Sequence, residues 1–124
     1  MATVEQHISK AENNESFTSF IGNNHNYIDW KFVALYYSAL HFGDAFIAKK
    51  LGYGRYRIEN HDERRMLYND LFDDETFLSY ERLEKFSRYA RYHPEKINLL
   101  TEKNYNDLLT NDFIKMKSLS QQCK

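Results

Sequence analysis

The chain has 124 residues, 42% of them hydrophobic and 16% aromatic, with a formal net charge of −1. That length fits a single domain over residues 1–124, with a core that needs neither disulfides nor metal. The near-zero charge excludes a bulk basic field that would hold nucleic acid nonspecifically, and the single cysteine, Cys123, excludes a disulfide scaffold.

The opening residues, MATVEQHISK, lack the basic-then-apolar pattern of a signal peptide. No apolar run approaches the ~20 residues of a membrane span. A soluble, cytoplasmic protein without membrane contact is expected. One proline and four glycines in so charged a chain point to long helices.

A first helix is predicted from about Thr3 to Ile21, where Val4, Ile8, Ala11, Phe17, Phe20 and Ile21 form an imperfect stripe. GNNHN, residues 22–26, reads as a loop. Asp29 is the expected N-cap of the next helix, WKFVALYYSALHFGDAFIAKKLG. Its apolar residues fall on several faces, so it belongs at the centre of a bundle, with Trp30 buried. Gly52 and Gly54 end it.

Asn60 caps a third helix, with Glu63 completing a capping-box pattern and Leu67 and Leu71 on its buried side. Asp73 or Asp74 caps a fourth, running to about Tyr92 with Leu83, Phe86 and Ala90 inward. Pro94 stops it, because a residue before proline is driven out of the α region. Thr101 opens a fifth, in which Tyr105, Leu108, Leu109, Phe113, Met116 and Leu119 recur at helical spacing. No strand-like alternation survives. The fold class is all-α, an up-and-down bundle of about five helices.

The segments YIDWKFVALYYSALHFGDAFIAKKLG, NHDERR and YERLEKFSRYARY, in this order and spacing, resemble the HEPN family over roughly residues 27–94. The resemblance implies a small helical bundle that forms a homodimer. It also implies one of two lives. Many members are metal-independent ribonucleases of toxin–antitoxin or defence systems, with an antitoxin as partner, and use an Arg, then four to six residues, then a His. Others lack that pair and act as nucleotide-binding or partner modules beside a minimal nucleotidyltransferase.

Arg88 and His93 match the Arg-to-His spacing. RNA carries its own nucleophile, the 2′-hydroxyl. A histidine can take that proton or protonate the leaving oxygen, and a guanidinium can hold the phosphate. On an unbroken helix the two side chains would stand about 140° apart, but Pro94 lets His93 leave the helical path. Arg91 shares a face with Arg88, and Tyr92 offers a ring beside them. Tyr89 after Arg88 departs from the polar residue usual in active members. The same stretch also reads as a solvated helix end, with Glu84 and Arg88 paired at i,i+4 and cations suited to the helix C-terminus.

A second set lies in RYRIENHDERR. His61 and Arg64 share a helix face, and Arg55 with His61 repeats the Arg-to-His spacing from a loop flanked by glycine. Its plain reading is a charged first helical turn. His41 and Asp44, with Tyr37, make a polar stripe on the central helix, expected to hydrogen-bond within the core or an interface. Asp70, Asp73, Asp74 and Glu75 read as turn and cap residues. No His/Cys spacing suggests zinc, and no metal or cofactor is expected. The candidate site is therefore Arg88, His93 and His61 for chemistry, with Arg91, Arg64, Arg55 and Tyr92 for RNA or nucleotide binding. A third reading is a bundle whose tyrosine-rich surface binds protein.

Overall fold

Four of the α-helices begin where a short polar side chain accepts a backbone N–H that the first turn leaves unpaired. In the computed structural model, which describes residues 2–22, 24–52, 58 and 60–123, α1 spans Val4–Ile21. Thr3 accepts from the Gln6 N–H while the Gln6 side chain reaches back to the Thr3 N–H. α2 spans Ile28–Leu51, α3 His61–Leu71 and α4 Asp74–Tyr92. Asn60 caps α3 through the Glu63 N–H, and Asp73 caps α4 through the Thr76 N–H at 2.7 Å. A 3₁₀ turn, Pro94–Leu99, follows α4. α5, Glu102–Asp107, is capped by Thr101 and runs through a π segment, Leu108–Phe113, into α6, Ile114–Ser118. Among the described residues there is no strand, so the chain is an all-α bundle. None of its helices is long and apolar enough to cross a membrane.

α2 is the central helix. Fifteen of its 24 residues are buried, on every face, and it touches the other five α segments. Phe32 packs against Phe86 of α4 and edge-on to Tyr105 of α5. Phe42 meets Phe113, and Phe46 meets Phe72. Gly43 lets α3 approach closely, because a Cβ there would stand 2.6 Å from the Tyr68 hydroxyl. Gly52 ends α2 at φ 84°, in the region that favours glycine.

The expected fifth helix is one helical rod with a π segment in its middle. The wider turn leaves Asp112 against Ser79 and Arg82 of α4 and Phe113 against α2, both buried.

Several packing expectations are corrected. Trp30 is 53% exposed. It stands on the first turn of α2 and forms an open apolar groove with Phe17, Phe20 and Tyr27. Phe17 and Phe20 are exposed too, and α1 seats itself instead through His7, Ala11 and Thr18. Asp29 is not the N-cap. The helix starts two residues earlier, at Ile28 after Tyr27, and Asp29 lies in the first turn, where the helix dipole favours a carboxylate. Leu71 is exposed, and Tyr68 is the buried anchor of α3.

Candidate functional site

Helical spacing puts Glu84, Arg88 and Arg91 on one stripe of α4, at i, i+4 and i+7. The first turns of α3 carry His61, Asp62 and Arg65. The packing of α3 and α4 brings these two sets together. They line, with Tyr92 and with Tyr36 of α2, an open cleft of about 500 Å³. The two sequence stretches singled out as rival sites are therefore walls of one site.

Arg91 is the best-placed cation. Nη1 donates to the Tyr37 hydroxyl at 3.2 Å and Nε to the Ser87 carbonyl at 3.4 Å. Its guanidinium carbon lies 5.7, 5.6 and 5.1 Å from the ring centres of Tyr36, Tyr37 and Tyr92. Rings around a guanidinium hold its plane without neutralising it. Among the described residues no carboxylate lies within ion-pair reach of Arg91. Arg88, by contrast, faces Glu84 at 3.4 Å, with its side chain 58% exposed. Arg65 is bound to Glu81, whose hydrogen bond holds the guanidinium more firmly charged.

Tyr36 is 1% exposed, with its hydroxyl beside that of Tyr80. The Tyr80 hydroxyl donates its own hydrogen to Glu84 at 2.8 Å, which leaves its oxygen able to accept from Tyr36. Burial raises the Tyr36 pKa, so the group stays a neutral O–H. Tyr36 is also part of the cleft wall.

The other candidates lie elsewhere. His93 does leave the helical path as the C-cap of α4, at φ −127° and ψ 74°. It turns away from the cleft, with Nδ1 2.8 Å from Glu95 Oε1 and its ring edge-on to Tyr89. Arg64 points into the protein and grips Asp44 with two hydrogen bonds of 3.1 Å, side chains 16% and 2% exposed. Burial opposes the Arg64 charge, but the hydrogen bonds to Asp44 outweigh it and raise its pKa. The Tyr68 hydroxyl completes this cluster, 2.6 Å from Asp44 Oδ1 and 2.8 Å from the Leu40 carbonyl. Arg64 is thus a structural cation rather than a binding one. Arg55 lies outside the described residues.

The polar stripe on α2 is partnered as expected for buried groups: Tyr37 with Arg91, Asp44 with Arg64, and His41 with His7 across α1. Sequence reasoning missed Tyr36, Arg65 and Asp62 as members of the cleft. The α4 stripe had a signal in its i, i+4, i+7 spacing, whereas Tyr36 had none, since it lies between apolar neighbours on a helix buried all round. Comparison of the chain with known protein families, with curated proteins and with solved structures gives no match.

Proposed function

We propose that the α3/α4 cleft binds the phosphate backbone of RNA and that the protein, a HEPN-like homodimer, cuts RNA without metal. Arg91 and Arg88 hold the phosphate, Tyr92 offers a ring to a base, and His61 moves the proton of the attacking 2′-hydroxyl. The observation that carries this reading is Arg91, ring-caged and without a carboxylate partner among the described residues, in one cleft with His61. A fixed guanidinium suits the charge that grows on a phosphate in the transition state. The α3 N-terminus at the same cleft favours an anion as well. His93 has no part in this assignment, because its ring faces Glu95.

A second reading is a non-catalytic nucleotide-binding or partner module, of the kind that accompanies a nucleotidyltransferase. It is favoured by Glu84, which engages Arg88, and by the presence of a single histidine among the described residues of the cleft wall.

The test is labelled RNA incubated with the protein in EDTA. Single-stranded RNA should be cut to 2′,3′-cyclic phosphate ends, and DNA should survive for lack of the attacking hydroxyl. His61→Ala should abolish cutting and keep binding, Arg91→Ala should weaken binding about tenfold or more, and His93→Ala should retain activity. Cutting lost in His93→Ala but kept in His61→Ala would move the chemistry to the α4 terminus. RNA left intact but bound through Arg91 would establish the second reading.

A further inference from the structure

α1 and α2 meet through two facing imidazoles. His7 Nδ1 lies 3.1 Å from His41 Nδ1. The carboxylate of Asp44, one helical turn beyond His41, offers an oxygen within 4.8 Å of a ring nitrogen of each histidine. His7 and Asp44 are buried and His41 is half-buried. We propose that His7, His41 and Asp44 form a binding site for one divalent transition-metal ion of the zinc class, clamping α1 to α2. This site is separate from the α3/α4 cleft and does not rest on the RNA reading.

The donor set is the first support. Two imidazole nitrogens and one carboxylate oxygen suit zinc and its borderline neighbours, and suit calcium or magnesium poorly. Three protein ligands leave a fourth position for water.

Geometry is the second. Two nitrogens bound to one tetrahedral ion at ~2.0–2.1 Å stand ~3.3–3.4 Å apart. The observed 3.1 Å needs to open only slightly.

Protonation is the third. Burial lowers the pKa of both rings, that of His41 to about 4, outweighing the attraction of Asp44. Both are therefore neutral near pH 7, the state that ligates metal. In the present pair one Nδ1 carries the shared hydrogen. Moving that hydrogen to Nε2 of the same ring frees a second lone pair with no net loss of a proton.

Asp44 retains capacity despite its partners. Oδ1 accepts from Tyr68 and from Arg64 Nε, and Oδ2 accepts from Arg64 Nη2. A carboxylate has about four acceptor directions, so one on Oδ2 remains. Arg64 and Tyr68 then orient the ligand from behind, as outer partners of metal sites do. In sequence, 34 residues separate the two histidines, so no short metal signature marks them.

The test uses the whole chain, stripped with EDTA, dialysed, and titrated with Zn²⁺ by calorimetry. One ion should bind per chain, and the Tm should rise with Zn²⁺ concentration, since a ligand of the folded state stabilises it. Co²⁺ in place of Zn²⁺ should give the intense visible bands of tetrahedral coordination. His7→Gln and His41→Gln should each lower affinity by at least the roughly 10–100-fold that loss of an outer partner costs. His93→Ala, at the C-cap of α4 and outside the cluster, should leave binding unchanged. If a variant fails to fold, the Co²⁺ spectrum and Zn²⁺-dependent Tm of the wild-type chain still decide. No stoichiometric ion in the wild-type chain, or binding that survives both glutamine variants, would overturn the site.

Discussion

Two residues of similar prominence in the sequence stand in opposite surroundings. Arg64 lies in a charged helical turn, yet its guanidinium is inside the protein on a carboxylate that is 2% exposed. Trp30 opens the most apolar helix, yet half of it faces solvent. Removing one partner of a buried ion pair strands the other charge, which costs roughly 3–5 kcal/mol. Arg64→Ala should therefore destabilise by about that much. Trp30→Ala should cost below about 1 kcal/mol, since truncating an exposed ring opens no cavity. Urea denaturation of both variants checks the pair. Equal losses would mean that Asp44 relaxes into water or that Trp30 is covered in solution. The cleft arginines belong with Trp30 in this respect. Arg88 is more than half exposed, so its loss should register in RNA binding rather than in stability.

At the scale of the element, the caps carry a pH dependence with a definite sign. Asp73 accepts from the Thr76 N–H, and that backbone hydrogen bond is the main cause that holds its carboxyl below the ordinary 3.8. A carboxyl with a depressed folded-state pKa stabilises the native chain fully above its unfolded value. The contribution fades as pH falls through the folded value. Asp73→Ala should cost about 1 kcal/mol at pH 7, as loss of an N-cap does, and visibly less near pH 3. Asp73→Asn keeps an acceptor without the charge, so its stability should track the wild type at pH 7 and lose the acid-dependent part. Denaturant midpoints at the two pH values measure this. A gap between wild type and Asp73→Ala that stays constant with pH would show that the cap does not act through the carboxylate. The same element logic builds the cleft, because the capped start of α3 and the last two turns of α4 are its two walls.

At the scale of the whole molecule, α2 decides the architecture. A helix apolar on every face cannot sit at a surface, so the other helices must enclose it, and the polar stripe it carries must find partners in them. Lys31 shows how completely this happens: it is 4% exposed, bonded to both oxygens of Glu102 at 3.1 and 3.2 Å, and 4.2 Å from the Tyr105 ring. The proposed dimer belongs to this scale, because a chain of net charge −1 would gain a more concentrated basic surface if a dimer brought two clefts near its axis. Sedimentation at micromolar concentration should give about twice the 14.9 kDa of one chain. A clean monomer would leave each cleft to act alone and weaken the ribonuclease reading.

Helix positions, the caps at Asn60, Asp73 and Thr101, the stop before Pro94 and the central place of α2 were legible in the chain. They depend on local chemistry and on a 3.6-residue period, and both are properties of neighbouring residues. The partners of the charged and titratable side chains were not legible. Arg64 and Arg65 are adjacent in sequence, yet one enters the core and the other lines the cleft, because one helical step of about 100° separates their directions. His61 joins Arg91, and His7 meets His41, only because α3 packs on α4 and α1 on α2. Those meetings depend on contacts between residues far apart in the chain, which no local period records, so only the tertiary structure could decide them.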